Sequence, residues 1–352
     1  MTWTRMFAPV VIVTAAVAAA PALPQEPDED RTKLITRAKV WMPANIASHD
    51  LRVGPTGPGA FAPGATVTCD YLDKKLSGAS PKFACRLPDG DELKVKYGGA
   101  NGEVYGEVAA SRLLWALGFG ADGMYSVRVI CRGCPSHIGG IRRANGDRIL
   151  DPAAVERKFP GRELVAKWDW DELDLVDEAA GGATRAERDA LKLVAVLIQH
   201  SDSKSDNQRI VCLEDGGEAG GCRVPLMMIQ DLGITFGRAN TFNQQPRASV
   251  SLADWKRLPV WKEDAQGCTG NLSGSFTGTL KDPVISEAGR QFLADLLMQL
   301  SDQQLRDMFE TARVQLRPRD PRRGELGFPT ADEWVDAFKQ KRTEIVERRC
   351  AA

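Results

Sequence analysis

Histidine is scarce in this sequence of 352 residues, and neither sign of charge is in excess. The three histidines, His49, His137 and His200, are too few and too scattered for a histidine-rich zinc site. Lysine and arginine number 46 against 47 aspartate and glutamate, which leaves a formal net charge of -1. Because nucleic-acid binding usually needs a basic surface, we expect no nucleic acid among the partners.

Long apolar runs are also rare, and the clearest one extends from Phe7 to Ala20. It follows Arg5, precedes small residues around Pro21 and falls short of the roughly 20 apolar residues that a membrane-spanning helix needs. The pattern predicts a signal peptide at 1–24. We therefore expect an exported protein, periplasmic or extracellular, with no stable membrane span after cleavage. The alternative is a membrane anchor that stays attached.

All eight cysteines lie beyond this segment. An even number of cysteines in an exported chain indicates disulfides. Proximity in the sequence predicts four bridges, Cys69–Cys85, Cys131–Cys134, Cys212–Cys222 and Cys268–Cys350. The sequence alone does not fix this connectivity, and the spacing of Cys131 and Cys134 also allows a redox pair.

Length and composition indicate a folded protein of two parts. At roughly 150 residues per domain, the length gives about two domains. Hydrophobic residues make up 43% of the chain and charged residues 26%, as in an ordinary globular protein. We predict a flexible lead-in at 25–64, a β-rich domain at 65–150 and a mainly helical domain at 151–352.

Short runs of β-forming residues separated by turns fill the β-rich domain. We predict strands at Ala65–Tyr71, Lys82–Arg86, Asp91–Tyr97 and Tyr125–Ile130, and one helix at Glu103–Leu117 that Gly118 ends. These runs predict a small antiparallel sheet with a single helix.

The second domain has mostly helical signals. Asp151-Pro152 is typical of a helix start, and capping residues at Thr184, Ser286, Ser301 and Thr330 open further helices. The stretch 240–279 is predicted to be a long irregular segment. The predicted fold class is therefore α+β, with a sheet lobe followed by a helical lobe.

A motif of polar residues follows the helix that ends near Gln199. His200, Asp202, Lys204 and Asn207 have the spacing H-x-D-x-K-x-x-N. In kinase catalytic loops this spacing supplies an aspartate that orients the acceptor hydroxyl and an asparagine that helps hold a metal ion. The plainer alternative is a polar turn after a helix.

Two strand-like segments, 208–213 and 223–230, lead from this motif to Asp231, which Leu232 and Gly233 follow. An apolar strand that delivers an aspartate and a glycine is typical of the D-F-G metal ligand of kinases. The order of the two motifs favours a metal site at Asn207 and Asp231.

Charged residues upstream are either ordinary surface charges of a strand and a helix or the phosphate-binding pair of a kinase. Lys94 and Lys96 lie on one face of a predicted strand, and Glu103 and Glu107 follow on the helix. A helix glutamate holds the phosphate-clamping lysine of kinases, and we favour Lys96 with Glu107. The small-residue turn before this strand offers backbone N–H groups to phosphates. The candidate nucleotide-binding residues of that turn are Ser77, Gly78, Ala79, Ser80 and Lys82.

Over Lys75–Gly233 the chain resembles the protein-kinase-like superfamily, in particular its atypical branch of HipA-type and phosphoinositide kinases. The stretch 76–82 is similar to the HipA-type nucleotide loop, and 202–207 is similar to the phosphoinositide-kinase loop. The resemblance implies a two-lobed kinase-like fold with ATP between the lobes. It also implies site roles: Lys96 on the α- and β-phosphates, Glu107 as its ion pair, Asp202 at the catalytic acidic position, and Asn207 and Asp231 on Mg²⁺.

Two departures from the family are visible. Lys204 stands where the atypical families often have histidine, although ordinary protein kinases also place lysine there, near the γ-phosphate. No A-P-E signature follows Asp231, so a protein acceptor is not indicated.

The function predicted from the sequence is an exported ATP-dependent phosphotransferase that uses Mg²⁺ or Mn²⁺ and an unidentified hydroxyl acceptor. Two alternatives remain open: a catalytically inactive nucleotide-binding or scaffold protein, and a nucleotidyltransferase that uses the same site. Tryptophans near the motifs either bind an acceptor or pack the lobes together, and these are Trp168, Trp170, Trp255 and Trp261.

Overall fold

The computed structural model describes residues 30–135, 146–164, 167–216, 221–237, 249–263, 267–272, 278–319 and 326–350. The predicted signal peptide at 1–24 lies outside these residues, as does His137.

Eight strands and seven α-helices occur in the described residues. The strands are β1 (Thr66–Leu72), β2 (Lys82–Arg86), β3 (Glu92–Tyr97), β4 (Gly123–Arg132), β5 (Arg148–Arg157), β6 (Arg162–Glu163), β7 (Gln208–Asp215) and β8 (Cys222–Ile229). The helices are α1 (Arg31–Thr36), α2 (Glu103–Leu117), α3 (Arg185–Leu197), α4 (Leu252–Arg257), α5 (Glu287–Met298), α6 (Asp302–Thr311) and α7 (Ala331–Glu347). None of these helices has both the length and the apolar character needed to cross a membrane.

The first five strands close into a barrel in the order β1-β2-β3-β5-β4. The prediction of an antiparallel sheet is therefore wrong in one respect, because β1 pairs with β4 in parallel. The other pairs of the barrel are antiparallel. Alternate residues of these strands, such as Val67, Phe83, Val95 and Val127, are buried in a separate barrel core.

Strand β5 corrects a second prediction. Asp151 and Pro152 do not start a helix but lie inside β5. Leu150 pairs with Val129 and Ala153 pairs with Val127. Two residues of β5, Asp151 and Pro152, therefore lie opposite one residue of β4, which is a bulge. A bulge tolerates proline, which has no N–H to donate to the ladder. The barrel thus extends beyond residue 150, where the sequence placed the boundary between two domains.

The lead-in predicted as flexible at 25–64 is folded over its described part. It contains α1 and a short 3-10 helix, Ile46–Ser48, and its residues Ile35, Val40 and Leu51 are fully buried. The Trp41 indole N–H donates to the carbonyl of Leu117, 2.7 Å away. The apolar residues of this segment show no regular helical or strand spacing, so the sequence alone did not predict that they would be buried. They are buried because the rest of the molecule packs against them.

The main core lies among the helices. Helix α2 has the predicted bounds, and Gly118 ends it with a φ of 87°. The predicted capping boxes at Thr184, Ser301 and Thr330 are confirmed, as is the cap at Ser286. The predicted irregular stretch 240–279 contains α4 in its described part. Rings from four parts of the chain meet near α4, and these are Phe236, Trp255, Phe309, Trp334 and Phe338.

All four predicted disulfides are present, Cys69–Cys85, Cys131–Cys134, Cys212–Cys222 and Cys268–Cys350. The first joins neighbouring strands β1 and β2, and the third joins β7 and β8. Cys131 and Cys134 are fully buried and packed into the barrel core, which favours the structural alternative over a redox pair.

Candidate active site

Lys96 lies at the centre of three carboxyl groups, hereafter the Lys96 cluster. Glu103 and Glu107 are buried, and Asp231 is partly exposed. The Lys96 ammonium Nζ is 2.5 Å from Oε1 of Glu107, 2.6 Å from Oε2 of Glu103 and 3.5 Å from Oδ1 of Asp231. The Lys96 side chain is fully buried. Glu103 and Glu107 both reach it because residues four apart lie on one face of a helix. The preferred pair of Lys96 and Glu107 is therefore present, and Glu103 joins it.

Two glycines allow α2 to approach the chain that follows β8. A Cβ at Gly233 would lie 2.6 Å from Cγ of Glu103, and a Cβ at Gly106 would lie 2.9 Å from Oγ1 of Thr235. Real side chains do not tolerate such contacts, so a larger residue at either position would push the helix and Asp231 apart. Glycine after Leu232 is thus a requirement for packing at the cluster.

The ionisable groups of the Lys96 cluster shift one another's pKa values. Burial opposes protonation of Lys96, but its three carboxyl neighbours outweigh it and raise its pKa well above the ordinary value. Burial likewise opposes ionisation of Asp231, yet Lys96 holds its pKa well below the usual range. Burial raises the pKa of Glu107 well above its ordinary value, against the pull of Lys96. The Asp231 carboxyl therefore loses its proton more readily than the Glu107 carboxyl does.

The candidate nucleotide-binding turn reaches this cluster through Ser80 and Lys82. The Ser80 hydroxyl donates to Oε2 of Glu103 over 2.7 Å and is buried with it. Lys82 pairs with Lys96 across β2 and β3, and burial together with the neighbouring Lys96 lowers the pKa of Lys82. Gly78 takes a φ of 85°, and a Cβ there would lie 2.5 Å from Nζ of Lys82. The predicted residues Ser77 and Ala79 are exposed on the outside of the turn.

The motif residues 202–208, hereafter the Asp202 loop, form a second group. The Lys204 ammonium is 3.0 Å from Oδ2 of Asp202. The Asn207 side-chain amide donates to the backbone carbonyl of Asp202 over 2.6 Å, and the Gln208 amide donates to that of Ser203 over 3.0 Å. The loop backbone is thus fixed by two side-chain amides. The Asp202 side chain remains 18% exposed, enough to meet a bound molecule.

A residue distant in the sequence supports the same loop. The Thr279 hydroxyl lies 2.8 Å from the carbonyl of Ser203 and also contacts the carboxylate of Asp169, and it can donate its one proton to either acceptor. The backbone N–H of Leu280 donates to Oγ of Ser203 over 3.0 Å. Ser203 is fully buried. Sequence reasoning missed Ser203, Gln208 and Thr279, because no motif links them and Thr279 lies 76 residues away from Ser203.

The hairpin of β7 and β8 connects the two groups. Gln208 pairs with Ile229, and the backbone N–H of Gln230 donates to the carbonyl of Asn207 over 2.8 Å. Asn207 and Asp231 therefore leave the same end of the hairpin on neighbouring strands. The backbone N–H of Gly233 also donates to Oδ1 of Asp231 over 3.0 Å and fixes its carboxylate.

His200, the first residue of the predicted motif, is buried within range of the charges of Asp202 and Asp231. It is fully buried, and neither ring nitrogen has a hydrogen-bond partner in the described part of the chain. Its ring lies 6.4 Å from that of Trp170. Burial lowers the pKa of His200 to about 4. A neutral imidazole packed beneath the Asp202 loop has a structural role.

The four singled-out tryptophans are packing residues. Trp168 and Trp255 are fully buried, Trp170 and Trp261 nearly so. The Trp168 indole donates to the carbonyl of Met228, and the Trp255 indole to that of Leu197. The satisfied N–H groups of Trp168, Trp255 and Trp261 support the packing alternative over an acceptor site, whereas the buried Trp170 N–H has no acceptor among the described residues.

A cavity of about 850 Å³ opens beside the Asp202 loop. It lies between the residues that follow β5 and the start of β7, and its lining includes Leu164, Ser205, Gln208 and Gln230. This volume is in the range of pockets that enclose small ligands.

A second charged network adjoins the barrel, and the sequence did not indicate it. Lys94 pairs with Glu156 and not with the α2 glutamates. Lys158 bridges Glu156 at 3.0 Å and Asp122 at 3.1 Å, and Asp122 also pairs with Arg209 at the start of β7. Burial, with the help of Glu156, raises the pKa of Asp122 to about 6. This network ties the barrel to the hairpin that carries the site.

Comparisons with known proteins give weak similarity. No protein-family model matches the chain, and no curated protein matches it. A solved structure of the proinflammatory kinase CtkA of Helicobacter pylori is similar with a TM-score of 0.39 and 10% identity, over 82% of this chain and 100% of that one. A structure of the Golgi casein kinase is similar with a TM-score of 0.34 and 10% identity, over 93% and 81%. Similarities at this level do not establish a shared fold.

Proposed function

We propose that this protein is an exported, ATP-dependent phosphotransferase of two-lobed, kinase-like architecture, with the barrel region and the helical region as its lobes. The observation that carries the proposal is the contact of Lys96 with Glu107 and Asp231, together with the hairpin that places Asp231 beside Asn207. Phosphoryl transfer needs a fixed cation for the phosphates, oxygen ligands for a metal ion and a carboxylate that meets the acceptor. The chain supplies all three on segments that the hairpin of β7 and β8 brings together.

Each residue then has a distinct task. Lys96, held by Glu107, contacts the α- and β-phosphates, and Lys82 with the backbone of 77–80 covers the remaining phosphate oxygens. The cavity lined by Gln208 and Gln230, which adjoin Asn207 and Asp231 in the sequence, is the space that we assign to the rest of the nucleotide. The Asp202 carboxylate, which is partly exposed, orients the acceptor hydroxyl, and Lys204 beside it balances the charge of the γ-phosphate.

The site residues fit a divalent cation such as Mg²⁺ or Mn²⁺. Asp231 offers a carboxylate that Lys96 and the Gly233 N–H keep ionised and oriented. The side-chain amide N–H of Asn207 donates to the carbonyl of Asp202, and the side-chain oxygen of Asn207 is the atom that would bind the metal ion. Carboxylate and amide oxygens are suitable ligands for these hard cations. The metal ion would neutralise phosphate charge.

The reaction would form one bond and break one bond. The acceptor oxygen bonds to the γ-phosphorus, and the bond from that phosphorus to the bridging oxygen of ADP breaks. The acceptor proton passes to the Asp202 carboxylate or to the departing phosphate oxygens. The residues of this chain position the two reactants and supply charges that stabilise the phosphates during the step.

The experiment is a turnover assay on the purified mature chain with ATP and Mg²⁺ or Mn²⁺, read by mass spectrometry of protein and products. We expect ADP and a phosphorylated product in the parent, and in an E92Q control, because Glu92 lies on β3 outside the cluster. Transfer of AMP would favour the nucleotidyltransferase alternative. Nucleotide binding without any transfer would favour the inactive one, and absence of both would refute the proposal.

A further inference from the structure

A buried arginine far along the chain joins two segments that carry the Lys96 cluster. Arg317 follows a short 3-10 helix after α6 and is 3% exposed. Its guanidinium donates to three backbone carbonyls: to Ala100 over 2.6 Å, to Gly99 over 3.4 Å and to Ser249 over 3.3 Å. The first two lie in the loop between β3 and α2, and the third lies in the chain after Asp231.

The contacts with the loop hold the start of α2. Gly99 and Ala100 connect β3, which carries Lys96, to Glu103, the first residue of α2. The side-chain oxygen of Asn101 accepts the backbone N–H of Glu103 over 3.2 Å, so a side chain of the loop also reaches the first turn of the helix. A shift of this loop would therefore move the glutamates of α2 relative to the lysine.

The contact with Ser249 holds the chain that follows Asp231. The Ser249 hydroxyl donates to the carbonyl of Gly233 over 3.1 Å, and the Gly233 N–H donates to Oδ1 of Asp231 over 3.0 Å. The backbone N–H of Val250 also donates to the carbonyl of Thr235 over 3.0 Å. Three hydrogen bonds in series thus connect the guanidinium to the aspartate.

The use of an arginine at this place has a cost. Arg317 forms no ion pair with a carboxylate in the described part of the chain, and burial lowers its pKa to about 10. Burying a cation without a counter-ion is unfavourable unless hydrogen bonds compensate. The guanidinium has five N–H donors in a fixed plane, so one side chain can reach two segments at once. The span of the group therefore explains why an arginine lies here.

From these contacts we infer that Arg317 is a positioning residue, which sets the distance between α2 and Asp231 and thereby the arrangement of the carboxyl groups around Lys96. It acts through the backbone of the two segments. Because Arg317 belongs to the helical region and Gly99 to the barrel region, the contact also ties the two regions together at the site. The inference deepens the proposed function and rests on it for the effect on the reaction alone.

The test compares Arg317→Met and Arg317→Lys with the parent in Mg-ATP binding and turnover. We expect the dissociation constant and the KM for Mg-ATP to rise about tenfold in both variants, because small displacements of binding groups have effects of this size. The kcat should fall by less, since the Asp202 loop keeps its own hydrogen bonds. Lysine keeps the charge but lacks the fork of donors, so full restoration of binding by lysine would overturn the inference.

Arg290→Met is the matched control for the loss of a buried arginine. Arg290 is 1% exposed, pairs with Glu287 and donates to the carbonyls of Ile345 over 2.9 Å and Val346 over 3.3 Å. It joins α5 to α7 and no segment of the Lys96 cluster, so the variant should melt at a lower temperature and bind Mg-ATP as the parent does. Equal weakening of Mg-ATP binding in R290M and R317M would show an effect of stability alone and overturn the inference.

Ser249→Ala covers the case in which the arginine variants fail to fold, as thermal melts would show. It removes the hydrogen bond to the Gly233 carbonyl and keeps the carbonyl that Arg317 contacts, so we expect Mg-ATP binding about threefold weaker. Where both variants fold, R317M and S249A act along one path, and their double variant should lose less than the product of the single effects. Binding in S249A that equals the parent would contradict the inference.

Hydrogen–deuterium exchange of the nucleotide-free chain separates this inference from the proposed function. Amides of the first turn of α2 and of residues 232–237 should exchange at least about threefold faster in R317M than in the parent. Unchanged exchange would overturn the inference. If the parent neither binds nor turns over ATP, the proposed function fails, and the exchange still decides whether Arg317 joins the two segments. If the parent turns over ATP and R317M does so with the same KM, the inference fails and the function stands.

Discussion

The two halves of the site are built in opposite ways. The Lys96 cluster is held by charge, with a fully buried ammonium among three carboxyl groups. The backbone of the Asp202 loop is held by neutral hydrogen bonds, from the amides of Asn207 and Gln208 and the hydroxyl of Thr279, while the Asp202 carboxylate pairs with Lys204. The first half is therefore sensitive to any change of charge, and the second to small changes of position.

This difference suits the tasks proposed for the two halves. Phosphates and metal ions carry high charge, so a pocket that binds them needs strong fixed charges. An acceptor hydroxyl is neutral, and its reactivity depends on where the accepting carboxylate lies. The neutral hydrogen bonds fix the loop backbone that carries Asp202, and Lys204 places a cation beside its carboxylate.

The largest expected effect comes from Asp202→Asn, which removes the reactive charge and keeps the loop framework. We expect phosphotransfer to fall by about 10²- to 10⁴-fold, because a positioned general base contributes that much. Nucleotide binding, measured by thermal shift with Mg-ATP, should remain as in the parent since Asp202 lies outside the Lys96 cluster. Equal turnover in variant and parent would show that the Asp202 loop does not carry the chemistry.

A pH titration tests whether the support of the Asp202 loop must stay neutral. His200 has its pKa lowered to about 4 by burial, against an ordinary value of 6.5. The folded state therefore binds fewer protons than the unfolded state between these values, and stability is lost as pH falls from 6.5 towards 4. The difference in pKa corresponds to about 3 kcal/mol over the whole window.

The measurement compares urea unfolding of the parent and of His200→Leu at pH 7 and pH 4.5. Leucine cannot take up a proton, so we expect the parent to lose about 2 kcal/mol more than the variant between the two pH values. Parallel losses in both proteins would mean that His200 is not held neutral beneath the loop.

Gly233→Ala tests the close packing of the Lys96 cluster. A Cβ at Gly233 would lie 2.6 Å from Glu103, so we expect a loss of about 1–3 kcal/mol in unfolding free energy and weaker metal binding. The control is Gly146→Ala, where a Cβ would meet no atom within 4 Å. If both variants unfold at the same urea concentration as the parent, α2 does not pack against Gly233 as described.

Local sequence patterns were enough to predict several residues of this site. The residues and elements that were missed have physical reasons. Lys96, Glu107 and Asp231 were predicted because strand, helix and strand place them in a known order. The contact of Glu103 with Lys96 could not be predicted, because it depends on how closely α2 approaches the chain after β8. Glycines at 106 and 233 permit this approach, but a glycine in the sequence does not by itself indicate one. Strand β5 was missed because Asp151-Pro152 has the same local preferences at a helix start and at a bulge. Non-local contacts decide such cases.

The smallest expected effect comes from Thr279→Val, which keeps the shape of the side chain and removes its hydroxyl. The Ser203 carbonyl and the Asp169 carboxylate lose the donor that they share, and the carbonyl keeps the Gln208 amide, so the loop should shift slightly and remain folded. A lost hydrogen bond of about 1 kcal/mol would lower kcat by about fivefold.

This variant distinguishes positioning from mere stability. The KM for ATP should not change, because the Lys96 cluster is untouched, and Thr279→Ser should restore kcat by returning the hydroxyl. Thr311→Val is the matched control, since the Thr311 hydroxyl donates to the carbonyl of Arg52 on an exposed surface. If Thr279→Ser is as slow as Thr279→Val, or Thr311→Val slows the reaction equally, the hydroxyl of Thr279 does not position Asp202.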